Sequence, residues 1–100
     1  MKCPSYNLFF ETISTKVRMA ILCLLREKPM SVSEICSALD EEQSKVSHNL
    51  KRLVECHVLE AKQKGKRRIY SLNKDTVLPI LDLVEKHVQK YCGGECRMLK

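Results

Sequence analysis

Residues 43–72 read QSKVSHNLKRLVECHVLEAKQKGKRRIYSL, and the order of features in this stretch decides the fold. With Val46 at the centre of a helical face, Leu50, Leu53 and Val54 follow at i+4, i+7 and i+8 and make a buried stripe. Ser44, His48, Lys51 and Glu55 fall opposite that stripe, with Lys45, Ser47 and Arg52 on its flanks. Two short runs follow, Leu59–Lys64 and Arg67–Leu72, around the turn Gly65-Lys66. Leu59, Ala61 and Gln63 alternate with Glu60, Lys62 and Lys64, while Tyr70 and Leu72 share one face of the second run. The pattern predicts one helix and then a β-hairpin.

The same stretch holds eight basic residues against two acidic ones, a balance equal to the whole chain's net charge of +6, so everything outside it sums to zero. A charge excess confined to one helix and one hairpin is the electrostatic footprint of a phosphate-backbone grip. A basic face that only keeps the protein soluble would show the same total. The helix separates the two readings. It carries short hydrogen-bonding groups near its N-terminus and cations further on, where an ordinary solvated face carries Glu and Lys. Small polar side chains let a helix sit deep in a major groove, with donors and acceptors at base edges. The hairpin tip, residues 62–68, has five cations in seven residues and reads as a wing reaching along the backbone or into the adjacent minor groove. The predicted DNA-contacting set is Gln43, Ser44, Lys45, Ser47, His48, Lys51 and Arg52 from the helix. Lys62, Lys64, Lys66, Arg67 and Arg68 come from the wing.

Three shorter helices are expected upstream. The first includes Leu8 and Glu11; the second carries the stripe Val17, Ile21, Leu24 and Leu25 and stops at Lys28-Pro29. Ser31-Val-Ser-Glu34 is a capping box that opens the third, whose buried side is Val32, Ile35 and Leu39. Asp40-Glu-Glu42 forms the turn and places negative charge at the positive end of the next helix. A capped short helix, a tight turn and a second helix with a polar N-terminal half is a helix-turn-helix. The last helix starts after Asn73-Lys-Asp75, with Pro79 in its first turn. Val77, Ile80, Leu81, Val84 and Val88 line one side of it, and Leu78 and Leu83 add apolar surface on the other. So apolar a terminal helix in so small a domain calls for a partner, and self-association is the economical one.

The motifs Ile35-Cys-Ser-Ala-Leu-Asp40, Gln43-Ser-Lys-Val-Ser-His-Asn-Leu50, Leu53 and Lys64-Gly-Lys-Arg-Arg-Ile-Tyr-Ser-Leu72 resemble the winged helix-turn-helix of the arsenic- and metal-sensing repressors, the ArsR/SmtB family. The resemblance implies a mainly α fold with a two-stranded β-hairpin wing and a homodimer through the first and last helices. It also implies binding to imperfect palindromic operators in double-stranded DNA, loosened by an inducer. The family's inducer sites do not carry over. Its thiolate box at the start of the third helix is Ser31 and Ser33 here, and Ser31 is explained as a cap. Cys36 matches a further cysteine of some members but sits beside Ile35 and Leu39, as a small core residue would. The family's carboxylate–histidine site on the last helix becomes Lys74, Thr76, His87 and Lys90, of which only His87 matches.

Six cysteines in 100 residues remain to be explained. The longest apolar run, residues 19–25, is too short to span a membrane, and no signal-peptide pattern opens the chain, so a cytoplasmic protein without membrane contact is expected. There, cysteines point to metal or redox chemistry rather than a disulfide frame. Cys23, Cys36 and Cys56 are expected as buried small residues. Cys92-Gly-Gly-Glu-Cys96 is a bracket past the last helix with Arg97 nearby to favour thiolates, and Cys3 joins it if the first and last helices meet at a dimer interface. Three thiolates suit arsenite or a soft divalent metal ion as inducer; structural zinc needs a fourth ligand. Terminal cysteines without any function are the competing reading.

A chain this short is one domain, residues 1–100 with a cysteine-containing tail at 92–100, and buries about two-thirds of its surface on folding. Two Phe, three Tyr and no Trp leave little for base stacking, which argues against a single-strand or RNA-binding module. No phosphate loop, paired-carboxylate motif or nucleophile elbow occurs, and the three His are scattered, so no enzyme is expected. Two function classes follow: a repressor released by a thiol-reactive metal, metalloid or oxidant, and a winged-helix or architectural DNA-binding protein without an inducer site.

Overall fold

The computed structural model describes residues 5–92 of the chain. Its elements run α1 (Tyr6–Ile13), α2 (Lys16–Glu27), β1 (Met30–Ser31), α3 (Val32–Leu39), α4 (Gln43–Glu55), β2 (Leu59–Lys64), β3 (Arg67–Leu72) and α5 (Val77–Tyr91). A local side-chain hydrogen bond sets the start of α1, α2, α3 and α5. Ser5 Oγ accepts from the Leu8 amide at 3.1 Å to open α1. Thr15 Oγ1 accepts from the Arg18 amide at 3.2 Å to open α2. At α3 both halves of the capping box form: Ser31 Oγ accepts from the Glu34 amide at 3.3 Å, and Glu34 Oε1 accepts from the Ser31 amide at 2.9 Å. Asn73 Oδ1 accepts from the amides of Asp75 and Thr76 and so starts α5.

The turn from α3 to α4 depends on Asp40, which closes α3 in the left-handed region at φ 55° and donates its amide to Cys36 O. A short polar side chain tolerates that conformation better than a branched one. Gly65 supplies φ 63° in the two-residue hairpin loop, as a glycine-first turn requires.

Ile21, Leu22, Ile35, Val46, Leu50, Leu53 and Val58 have no exposed surface and form the centre of the core. Leu59, Tyr70 and Leu72 cover it from the sheet, and Val77 and Leu81 from α5. The α4 stripe is buried as its spacing requires, with Val54 half-buried at its edge.

Four details depart from the sequence reading. The hairpin gains a third strand: the order is β1-β3-β2, all antiparallel, with Met30 opposite Tyr70 and Ser31 opposite Ile69. Two residues carry no periodicity, so β1 left no trace in the sequence. Leu22 joins Ile21 and Leu25 in the core, because α2 is enclosed on more than one side. Cys23, expected as a buried small residue, is exposed on α2, whereas Cys56 is buried and Cys36 is half-buried against the core. Val84, placed with the apolar side of α5, is 49% exposed.

Candidate nucleic-acid interface

The face of α4 away from the core is polar because only Val46, Leu50 and Leu53 are needed inside. Gln43, Ser44, Lys45, His48 and Lys51 are exposed on it, and Ser47 and Arg52 are half-buried on its flanks. Lys45 Nζ lies 3.3 Å from Glu41 Oε1, so this cation is shared with the turn. Glu42 is the N-cap residue of α4, yet its side chain makes no cap bond; the acidic turn acts through its charge.

Asn49 fixes how α4 sits. Its Nδ2 donates to Lys45 O at 2.9 Å, and its Oδ1 accepts from Arg18 Nε at 2.8 Å. Arg18 also donates from Nη1 to Thr12 O at 3.0 Å, at the end of α1. One guanidinium therefore ties α1, α2 and α4 together. The sequence reading missed Arg18 and Asn49; Asn49 sits one residue after His48 on a mixed helix face, with nothing local to mark its partner.

All five wing cations, Lys62, Lys64, Lys66, Arg67 and Arg68, are exposed. The Arg68 guanidinium lies 5.9 Å from the centre of the Tyr70 ring, and with Lys51, Val54 and Glu55 these two residues line a groove between α4 and β3. A cation resting over a ring at a groove wall is placed where it can meet a phosphate laid along that groove. Arg67 is directed elsewhere. Its Nη2 lies 3.1 Å from Ser31 Oγ and 2.9 Å from Glu34 Oε1, both at the N-terminus of α3. The Glu34 carboxyl is held below the usual carboxylate range by the Ser31 amide first, then the Ser31 hydroxyl, with Arg67 and Lys28 adding to the effect.

Ser31, at a position of the thiolate box named above, thus meets Ser33 Oγ at 3.3 Å and Arg67. Of the terminal cysteines, Cys92 is half-buried at the C-cap of α5, and Cys3 and Cys96 lie outside the described residues. Among the described residues no group of three or more His, Cys, Asp or Glu stands close enough to hold a metal ion.

A capped helix, a left-handed turn, a polar and cationic second helix and a basic hairpin define a winged helix-turn-helix DNA-binding protein. Comparisons with known proteins agree. Residues 15–61 match the family model described as bacterial regulatory protein, arsR family. An uncharacterised HTH-type transcriptional regulator of Mycobacterium tuberculosis, Rv0081, is 33% identical over 101 residues, covering 97% of this chain and 89% of the relative. Its crystal structure superposes with a TM-score of 0.79 at 31% identity, over 90% of this chain and 94% of that one. The HTH-type transcriptional regulator NmtR of the same organism is 33% identical over 72 residues, 72% of this chain but 60% of NmtR. Reduced HlyU from Vibrio cholerae matches with a TM-score of 0.71 at 25% identity, over 84% of this chain and 85% of that one. The chain belongs to the ArsR family and is a DNA-binding transcriptional regulator. Among the described residues no helix is long and apolar enough to cross a membrane.

Proposed function

We propose that this regulator is a cytoplasmic, single-domain homodimer that represses from an imperfect palindromic operator and has no enzymatic activity. The polar N-terminal half of α4 reads bases: Gln43, Ser44, Ser47 and His48 face the major groove, with Lys45, Lys51 and Arg52 toward its phosphates. Lys62, Lys64, Lys66 and Arg68 carry the wing's charge to the backbone. The observation that carries the reading is the separation of surfaces. The net positive charge gathers on α4 and the wing, while Tyr6, Phe10, Leu83, Val84 and Tyr91, between 49% and 87% exposed, stand on α1 and α5. Large exposed apolar residues on two terminal helices suit an interface with a second copy. A structural relative, Mb0332 from Mycobacterium bovis, is described as a homodimeric winged helix-turn-helix domain.

The inducer in this proposal is arsenite, a soft divalent metal ion or an oxidant acting at Cys92 and Cys96, with Cys3 as a third thiolate. Supporting it are the thiol spacing and the relatives solved as apo-NmtR and as reduced HlyU. The competing reading, a winged helix without an inducer, is supported by Ser31 and Ser33 at the positions of the family's thiolate box. Operator titrations with arsenite, cadmium, zinc and an oxidant in turn, under reducing control, decide between them. Release of DNA by one of these supports sensing, and indifference to all four removes it.

A further inference from the structure

The hairpin outruns its third strand. β1 pairs with β3 only at Met30–Tyr70 and Ser31–Ile69, whereas β2 and β3 stay paired out to Lys64–Arg67. The pairs Gln63–Arg68 and Lys64–Arg67 thus form a two-stranded overhang, and a hairpin of two strands is marginal in water by itself. A wing that carries charge to DNA must nevertheless point in one direction.

Arg67 sits at the far end of that overhang and reaches back across it. Its Nη2 donates to Ser31 Oγ at 3.1 Å and to Glu34 Oε1 at 2.9 Å, a contact between residues 36 and 33 positions apart. The acceptors are anchored independently, since Glu34 Oε1 also takes the Ser31 amide and Ser31 Oγ also takes the Glu34 amide. The guanidinium therefore meets a preformed, ionised cap and not two mobile side chains, so less entropy is lost in holding it. α3 in turn packs on α4, so a tie from the wing to α3 fixes the wing relative to the recognition helix.

We infer that Arg67 is a positioning residue: it braces the wing against the capping box of α3 and sets the angle between hairpin tip and α4, in place of gripping a phosphate. The brace exists in the free protein; its consequence for affinity rests on the DNA-binding function. Glu34 makes the distinction sharp. By charge alone, removing an acidic residue near DNA tightens binding. By the brace, removing its charge loosens the wing and weakens binding.

The first test needs no DNA. Amide hydrogen exchange of residues 63–68 is expected to speed up in Arg67→Ala and in Arg67→Lys, whose stem is one bond shorter, while residues 46–53 exchange as in the parent. Unchanged exchange in the overhang overturns the brace. The second test is a salt titration on the operator. Arg67→Ala should lower affinity by up to about fivefold, the scale of an exposed ion pair, with the slope of log affinity against log salt unchanged. Arg68→Ala should flatten that slope by about one. Glu34→Gln keeps the cap geometry and is expected to weaken binding as well. A flattened slope in Arg67→Ala that Arg67→Lys restores, or tighter binding by Glu34→Gln, assigns Arg67 to a phosphate and sinks the inference. If the parent fails to prefer its operator, the operator reading fails, and the exchange result still judges the brace.

Discussion

Arg68 and His48 divide the work of recognition between charge and chemistry. Arg68 is exposed over Tyr70 at the groove wall, where a guanidinium meets any sequence equally. Arg68→Ala should therefore weaken operator and random DNA alike. His48 is exposed on the face of α4 that the short polar residues share. Its ring can distinguish base edges, so His48→Ala is expected to narrow the gap between operator and random DNA by about 1–3 kcal/mol. Competition binding on both DNAs at two salt concentrations reads the difference; equal behaviour of the two variants refutes it. Ser31 acts on stability. Its hydroxyl caps α3 and receives Arg67, and Ser31→Ala should cost about 1 kcal/mol in urea unfolding, with Thr largely restoring it.

Glu34 gives the cap a pH dependence. Its carboxyl is held below the usual carboxylate range, so the folded state binds the proton less readily than the unfolded chain does. The contribution is complete above the ordinary glutamate value and is lost as pH falls through the lowered one. Urea midpoints of the parent should fall more than those of Glu34→Gln between neutral and acid pH; parallel curves would contradict this.

At the scale of elements, α4 is held by its stripe and by the tie from Asn49 to Arg18. Leu50 is wholly buried, and Leu50→Ala should cost about 2–5 kcal/mol, since a cavity opens in the core. Asn49→Ala removes the Arg18 acceptor and leaves the stripe intact. It should lower operator affinity more than it lowers stability, because α4 keeps its packing and loses its fixed orientation to α1 and α2. Binding isotherms beside urea curves for the one variant check this. α5 rests on the body through Val77, Leu81 and the pairing of Arg26 with Asp82 at 2.7 Å, which leaves Leu83 and Val84 outward.

At the scale of the whole molecule, two copies would present two α4 helices to half-sites about one helical turn, roughly 34–36 Å, apart. Leu83→Glu with Val84→Glu is expected to yield a folded monomer by sedimentation that has lost most operator affinity. A dimer that survives both changes places the interface elsewhere. The thiols belong to the same scale, because occupying Cys92 and Cys96 can affect DNA only by favouring a dimer geometry with misaligned recognition helices. Allosteric coupling of roughly 1–3 kcal/mol would lower operator affinity about 5- to 150-fold, and Cys92→Ser with Cys96→Ser should abolish that response. If the double variant still releases DNA as the parent does, Cys36, Cys56 and the exposed Cys23 become the candidates.

Periodicity, caps and charge by themselves determined the four helices from α2 to α5, the hairpin, the turn at Asp40-Glu-Glu42 and the cationic stretch at residues 43–72, because each rests on neighbours a few positions apart; of α1 they marked only residues 8–11. The capping box at Ser31 and Glu34 was legible for the same reason: its partners are three residues apart. Tertiary structure decided what those signals cannot carry. β1 exists only because Met30 and Ser31 meet Tyr70 and Ile69. Arg67 reads as one more wing cation until the fold brings it to Glu34, and Asn49 as one more polar helix residue until Arg18 arrives from 31 positions away. Cys23 and Leu22 are adjacent in sequence, yet one is exposed and the other buried. Local patterns give each residue an environment along its own element; which elements press against that face is settled only when they dock.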